Sequence, residues 1–207
     1  MTLRALLEAP ALQVAPLLLG AVLTHSSPQG AVALRLTEVE AYAGEGQDPG
    51  SHAHRGRTPR TATMFGPAGH LYAYFTYGMH TCANVTCLPE GRAAGVLLRA
   101  GEVVAGHDLA RSRRLTAKKD VELARGPARL ALALGIVLAE DGADLLSPPF
   151  SLVLAEQDAG LIATGPRVGV AGEGGDAERF PWRFWLEGDP TVSTYRPAVP
   201  RKAARRL

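Results

Sequence analysis

The sequence predicts a single α+β domain with a curved, mainly antiparallel β core flanked by helices. Three observations favour this class. Short strand patterns separated by Gly- and Pro-containing turns occur in both halves of the chain, and helical periodicity is limited to the N-terminus and a central segment. We also find no repeat, low-complexity segment or linker. We therefore treat residues 1–207 as one domain, with 196–207 as a basic C-terminal tail whose order the sequence leaves open.

The pattern in the first half of the chain predicts a broken helical segment followed by strands. Helical periodicity over the first twenty residues is broken by Pro10 and Pro16, and the turn-like SSPQG joins AVLTH to the long strand AVALRLTEVEAYAG. Residues 43–69 are rich in Gly, Pro, His and Arg, and so long a loop in a compact domain is usually functional. HLYAYFTYGMHTCANVTCL and AAGVLLRAGEVV follow as strands with a turn at PEGR.

The second half predicts one broken helical region and more short strands. HDLARSRRLTAKKDVELARGPARLALALGI has a helical pattern broken around RGP, and FSLVLAE, LIATGPRVGV and FPWRFWLEG have strand patterns. No apolar run approaches the eighteen or so residues of a membrane span. The apolar N-terminus is interrupted by Glu8 and lacks the features of a signal peptide. The pair Cys82 and Cys87 predicts two free thiols in a reducing cytoplasm.

The formal net charge is only +2, but the charges are unevenly distributed. Residues 52–60 carry three arginines and no acid, residues 99–129 hold eight basic side chains against four acids, and the tail from 195 holds five basic side chains and no acid. Residues 140–189 carry ten acids against three arginines. This separation favours a positive face that binds a polyanion, although a mixed surface with a solvated basic tail gives the same totals.

Two carboxylates and a phenol alternate in RLTEVEAYAG. The two-residue period of a strand places Glu38, Glu40 and Tyr42 on one face, and it places Leu34 and Leu36 on that face too. Burial there would raise a carboxyl pKa and create a general base. The alternative is a strand whose end simply emerges into solvent.

The loop stretch SHAHRGRTPR combines His52 and His54 with three arginines. His-x-His offers two metal ligands, but zinc needs a third or fourth, and the nearby acids follow no recognisable ligand spacing. Arginines and loop N–H groups suit phosphate better, so no metal is predicted.

Three of the five tyrosines lie within GHLYAYFTYGMH. Tyr72 and Tyr74 share a strand face and could line a pocket or pack in the core, whereas Tyr77 has the opposite parity and precedes Gly78, where a strand often bends. An exposed aromatic tip near arginines is what base stacking or duplex wedging requires. A tyrosine-rich core strand is the alternative interpretation.

An ordered set of motifs closely resembles one family. TEVEAYAG, SHAHRGRTPRTATMFGPAGHLYAYFTYGMHTCANVT, GVLLRA, RGPARLALALGI, GPRVGV, FPWRFWLEG and VS occur in the order and spacing of the alkyladenine DNA glycosylases, the mammalian-type 3-methyladenine glycosylases found also in bacteria. The resemblance extends from about residue 12 to 194. It implies a DNA repair enzyme that excises alkylated or deaminated purines by base flipping, without cofactor or metal. No lysine sits beside Glu40 to form a Schiff base, which predicts a monofunctional enzyme without lyase activity.

The resemblance also implies residue roles. Glu40 matches the catalytic base that activates a water, Arg99 matches the arginine that helps to place the water, and the main-chain carbonyl of Val168 matches another water ligand. Such a water would attack the sugar carbon from the face opposite the leaving base, as in inverting glycosidases.

Pocket and DNA contacts follow from the same resemblance. The residues expected to bind the flipped base are Tyr42, His52, Tyr74 and Asn84, with Asn84 crowding the amino group of guanine and Tyr72 structural. The residues expected to bind double-stranded DNA are Tyr77, which fills the gap left by the base, with Arg57, Arg60, Gly78, Met79 and Arg129.

His54 and His80 depart from the family, since both stand where an aromatic side chain is common, and the preferred damaged base stays open. The enzyme is expected to be a monomer in the bacterial cytoplasm, associated with the nucleoid and not with a membrane. Two other functions fit parts of the pattern: a non-catalytic nucleic-acid-binding module, and a hydrolase of free nucleosides.

Overall fold

A long central strand organises the computed structural model, which describes residues 2–76, 78, 80–156 and 160–198. This strand is β2 (Gly30–Tyr42), and every strand pairing around it is antiparallel. It forms a hairpin with β1 (Val22–Ser27) and pairs along its other edge with β5 (Ala94–Ala105). Strands β3 (Leu71–Thr76) and β4 (His80–Cys87) extend the sheet beyond β5, and β6 (Phe150–Val153) pairs with β1.

The two halves of β2 have different neighbours on one edge. β1 pairs with residues 30–35, whereas β8 (Arg183–Leu186) pairs with residues 38–40, and β7 (Ile162–Gly165) pairs in turn with β8. The sheet curls as a result. The segment of β2 that carries Glu38 and Glu40 is thus held by hydrogen-bonded strands on both sides, so its backbone has little freedom.

Helices cover the sheet in the described part of the chain. They are α1 (Leu3–Leu7), α2 (Ala11–Leu18), α3 (His107–Arg113) and α4 (Pro127–Leu134), and none is long and apolar enough to cross a membrane. Val14 and Leu18 of α2 and Leu130 of α4 join the buried apolar core. α4 begins with a proline at its first turn and ends at Gly135, which has φ 80°. Both positions suit these residues. An N–H in the first turn has no partner within the helix, so its absence in proline costs nothing, and glycine accepts the left-handed conformation at the end.

These elements confirm the predicted α+β class with its curved antiparallel core. Two helix boundaries differ from the sequence-based expectation. Pro16 was expected to break the helix, but it lies inside α2, which continues to Leu18. The central helical pattern also stops at Arg113, because residues 114–119 form a loop that returns Asp120 to an ion pair with Arg111.

The predicted side-chain alternation along β2 is wrong at one point. The register between β2 and β5 shifts on both sides of Glu38, as in a β-bulge. Leu34 and Leu36 point into the core before the shift, and Val39 and Ala41 do so after it. A one-residue shift exchanges the faces of a strand. The leucines therefore do not share a face with Glu38 and Glu40, and the glutamates lie on the side away from the main apolar core.

We expect Gly106→Ala to destabilise the fold more than Gly142→Ala. Both glycines have positive φ, 75° and 87°, so alanine should cost about 1 kcal/mol at either for backbone strain. A methyl group at 106 would also lie 2.2 Å from the carbonyl oxygen of Ala31, whereas nothing lies within 4 Å at 142. Urea denaturation should give a loss of at least about 2 kcal/mol for Gly106→Ala. Equal losses would contradict this close approach.

Candidate active site

A cavity of about 470 Å³ opens where the polar face of β2 meets β3, β4 and β5. Its volume is within the range of about 300–1,000 Å³ that is typical of small-ligand pockets. Aromatic and polar side chains line it together with apolar ones, and they include these, which the sequence analysis assigned to the site: Glu40, Tyr42, His52, Tyr74, Asn84 and Arg99. Val168 lines it as well. Glu40 and Val168, which are 128 positions apart in sequence, therefore meet at one site.

Glu40 is completely buried and presents its carboxylate to this cavity. Oε1 accepts a 2.6 Å hydrogen bond from the main-chain N–H of Val168, and Oε2 accepts one of 2.9 Å from the Tyr42 hydroxyl. Burial raises the pKa of the Glu40 carboxyl above its ordinary value, and the charge of Arg99 opposes this only in part. A carboxylate with a raised pKa in a cleft is suited to accept a proton from water.

Arg99 lies between two buried carboxylates. Its Nε donates to Glu38 over 2.8 Å, and its Nη1 lies 3.4 Å from Oε1 of Glu40. Glu38 also accepts from Nε of Arg183 at 2.6 Å and from Ser193. Burial would raise the pKa of Glu38, but the charges of Arg99 and Arg183 outweigh burial and hold that pKa below its ordinary value. Two neighbouring carboxyl groups with oppositely shifted pKa values are typical of acid–base sites.

Aromatic rings form one wall of the cavity. Tyr72 and Tyr74 have ring centroids 5.5 Å apart, and the imidazole of His52 packs edge-on against Tyr74 at 4.6 Å. Nδ1 of His52 lies 3.1 Å from the Tyr72 hydroxyl, which fixes the ring to the wall. Partial burial and the charge of Arg60 lower the pKa of His52, so the imidazole is neutral at neutral pH. A neutral ring does not repel a cationic ligand.

Tyr42 is supported from outside the cavity by a buried arginine. The guanidinium of Arg167 lies 4.5 Å from the centre of the Tyr42 ring and makes two hydrogen bonds to Asp48, at 2.6 and 2.7 Å. Both charged side chains have no exposed surface. Arg167 also donates to the carbonyls of Ala41 and Gly174. This ion pair therefore ties the loop after β2, which leads to His52, to the strand that carries Glu40 and Tyr42.

Asn84 and Cys82 line the cavity from β4. The amide nitrogen of Asn84 donates to the carbonyl of Tyr72 over 2.9 Å, which fixes the plane of the amide. Cys82 stands opposite Tyr74 in the strand pair. Cys82 and Cys87 are both buried, free thiols, as predicted. Burial raises the pKa of each thiol, so neither is ionised at neutral pH.

The residues predicted to contact DNA are only partly within the described structure. Tyr77 and Met79 lie outside the described residues. Gly78 is exposed, and Arg57 and Arg60 are exposed in the loop before β3. The guanidinium of Arg60 lies 5.6 Å from the Tyr74 ring, and Arg129 is exposed next to Pro127 and Ala128, which line the cavity. Arg60 and Arg129 thus lie beside the cavity, and their contact with DNA remains a prediction.

Sequence reasoning missed several residues of this site. Arg167, Asp48, Arg183 and Ser193 were not singled out, although Arg167 stands in the quoted motif GPRVGV beside Val168. Val168 was expected to act through its carbonyl, and the structure adds that its N–H binds Glu40. Tyr72, expected to be structural, lines the cavity. Among the residues that the structure describes, no three His, Cys, Asp or Glu side chains are grouped to hold a metal ion.

Comparison with known proteins connects this site to one family. The family model described as methylpurine-DNA glycosylase (MPG) matches residues 5–190. A protein of Leifsonia xyli is 61% identical over 192 residues, which are 91% of this chain and 89% of the relative. Proteins of Streptomyces avermitilis and Nocardia farcinica are each 55% identical over 93% and 91% of this chain, and over 91% and 90% of their own lengths. All three carry the name "Putative 3-methyladenine DNA glycosylase".

We expect Asp48→Asn to destabilise the protein by about 3–5 kcal/mol, because it leaves the charge of Arg167 buried without a partner. Glu173→Gln is the matched control. It breaks an ion pair with Arg179 of the same 2.6 Å length, but those side chains are 57% and 59% exposed. This change should cost less than about 1 kcal/mol. The free energy of unfolding from urea titrations decides the comparison, and similar losses would rule out a dominant role for the buried pair.

Proposed function

Because the chain belongs to the methylpurine-DNA glycosylase family, whose members hydrolyse N-glycosyl bonds in DNA, we propose that Glu40 activates the water that releases a damaged purine. The observation that supports this most strongly is the state of Glu40 itself. It is a buried carboxylate with a raised pKa on an aromatic-walled cavity, beside an arginine. An acid at this place weakens the binding of a polyanion, so chemistry gives a better reason for it than binding alone.

In the proposed reaction, the bond between the sugar and the purine breaks through an oxocarbenium-like state. Glu40 orients a water on the face of the deoxyribose opposite the leaving base and accepts its proton as the new C–O bond forms. The electron pair of the broken bond leaves with the purine. Arg99 and the main chain at Val168 adjoin Glu40, which supports their proposed part in holding this water. The products are a free base and an abasic site.

The cavity walls suit a flat purine, above all a cationic one. Tyr42, Tyr74 and His52 present rings to the cavity, and aromatic faces attract cations. Alkylation makes a purine cationic and a better leaving group, so little acid catalysis is needed for it. Asn84, with its amide held by Tyr72, is proposed to disfavour guanine by crowding its exocyclic amine.

Access to the bond requires that the nucleotide leave the duplex, since the base is otherwise stacked. Tyr77 is proposed to fill the gap, with Gly78 and Met79 beside it at the tip. Arg57, Arg60 and Arg129 are proposed to bind the backbone phosphates, and the exposure of these arginines supports that role. Raised salt should then weaken binding through counterion release.

A single hydrolytic step without strand cleavage is part of the proposal. A lyase of the Schiff-base type needs an amine nucleophile. The chain has three lysines, Lys118, Lys119 and Lys202, and the described residues that line the cavity include none of them.

We also propose that the protein is a monomer that associates with the bacterial nucleoid. Excision from duplexes carrying 3-methyladenine, 7-methylguanine, hypoxanthine or ethenoadenine would establish the substrate range.

Glu40→Gln should lower the rate of base release by at least about 100-fold, whereas the affinity for damaged duplex should stay unchanged. The amide keeps the shape of the side chain but cannot accept the proton. Single-turnover excision of 7-methylguanine and duplex binding measure the two properties separately, with the exposed Glu90→Gln as a control that should behave like the wild type.

Each alternative function has its own outcome in this experiment. Excision by Glu40→Gln at the wild-type rate would remove Glu40 as the base. Damaged-duplex binding by the wild type without any base release would favour a non-catalytic binding module. A nucleoside hydrolase would be favoured if the wild type acts on a free nucleoside but does not bind duplex, and if Tyr77→Ala leaves that activity unchanged.

A further inference from the structure

Four charged side chains form a buried cluster behind the cavity: Glu38, Glu40, Arg99 and Arg183. None has more than 5% of its surface exposed. Glu40 and Arg99 line the cavity, whereas Glu38 and Arg183 do not. Two of the four therefore cannot touch a ligand there, and a fully buried ion pair is by itself weak support for stability. Their position one layer behind the proposed base suggests a different purpose.

Glu38 is held by four hydrogen bonds and does not line the cavity. Its Oε1 accepts from Nε of Arg99 at 2.8 Å, from Nε of Arg183 at 2.6 Å and from Oγ of Ser193 at 3.0 Å. Its Oε2 accepts from the main-chain N–H of Ser193 at 2.7 Å. These four bonds, from β5, β8 and the segment after β8, fix the carboxylate rigidly. A donor that binds Glu38 is fixed with it.

The guanidinium of Arg99 is oriented by Glu38 and not by Glu40. A guanidinium that is free to turn pairs with a carboxylate through two short parallel hydrogen bonds. Here its Nε is bound to Glu38, its Nη2 lies 3.3 Å from Oγ of Ser193, and only Nη1 approaches Glu40, at 3.4 Å. Glu40 therefore has an arginine beside it without the close two-bond ion pair that would occupy its oxygens.

We infer that Glu38 is a positioning residue, which holds Arg99 in an orientation that does not close a two-bond ion pair with Glu40, so that the Glu40 oxygens, which already accept from Val168 and Tyr42, can still bind and deprotonate water. This inference rests on the proposed function of Glu40. Without Glu38, Arg99 turns toward Glu40, closes a two-bond pair with it and stabilises its ionised form, which makes Glu40 a weaker base. Arg183 and Ser193 serve the arrangement by neutralising and fixing Glu38.

The electrostatics agree with this geometry. The negative charge of Glu38 raises the pKa of Glu40, in addition to the larger effect of burial. The charged or titratable groups that face Glu40 are Glu38 and Tyr42 from β2, Tyr74 from β3, Cys82 from β4 and Arg99 from β5, with Arg183 of β8 behind Glu38. Burial raises the pKa of both phenols and of the thiol, and arginines stay charged. Of these groups, only the two carboxyls change charge in the acid range. His52, which lines the same cavity and has a lowered pKa, titrates there as well.

The test is the pH dependence of single-turnover excision from a 7-methylguanine duplex. Glu38→Gln should lower the plateau rate about 10- to 100-fold, as a misplaced catalytic group does. It should also move the acid limb of the profile, where the rate falls as the pH decreases, to lower pH by about one unit, because a negative charge next to Glu40 is lost. Arg183→Met disrupts the same buried cluster but leaves Glu38 unneutralised, so its acid limb should move to higher pH.

A double-mutant cycle shows whether Glu38 acts through Arg99. In the Arg99→Lys background the ammonium cannot form the two-bond pair, so Glu38→Gln should cost much less there than in the wild type. Additive losses, or acid limbs that stay in place in both single variants, would leave Glu38 a purely structural residue and overturn the inference. If thermal melting shows that Glu38→Gln does not fold, Arg183→Met alone decides: an upward shift supports the inference and an unmoved limb overturns it.

These outcomes are separate from the fate of the proposed function. An inactive wild type, or an active Glu40→Gln, would overturn the role of Glu40. The role of Glu38 alone would be overturned if the wild type excises, Glu40→Gln is inactive and the acid limb of Glu38→Gln stays at the wild-type pH.

Discussion

The site depends on one arginine that is shared between two buried carboxylates. Arg99 binds Glu38 closely and Glu40 loosely, so one glutamate is held ionised while the pKa of the other is raised. The strands impose this inequality. β5 carries Arg99 beside β2, and β8 brings Arg183 to the far side of Glu38. We propose that the unequal environments of two glutamates two residues apart give one an electrostatic role and leave the other for chemistry.

Local sequence patterns were enough for the architecture, and the resemblance to a known family gave the walls of the cavity. The β1–β2 hairpin, the strands on either side of PEGR and the short C-terminal strands all follow from patterns whose period and turns are local. The pocket residues Glu40, Tyr42, His52, Tyr74, Asn84 and Arg99 came from motifs that resemble a known family, and they do meet in one cavity. These residue types alone left structural alternatives open: an exposed strand end for the two glutamates and a tyrosine-rich core strand for the phenols.

What the sequence could not predict depends on register and on distant partners. The register shift at Glu38 reverses the faces of β2. No residue type nearby predicts this shift, since Thr37 and Glu38 are both compatible with a regular strand. Asp48 and Arg167 are 119 positions apart, and one is in a loop without periodicity. Ser193 binds Glu38 from 155 positions away. Such partners become visible only when the strands are paired.

If Glu40 is the base, its carboxyl group has a raised pKa that also governs excision, and a direct titration of this group is the sharpest test. Carbon-13 NMR of glutamate-labelled protein, with the Glu40 signal assigned by its absence in Glu40→Gln, gives the pKa without reference to activity. We expect a midpoint above the ordinary glutamate value of about 4.3, coinciding with the acid limb of excision. A Glu40 carboxyl that titrates in the ordinary range, or well away from the acid limb, would contradict it.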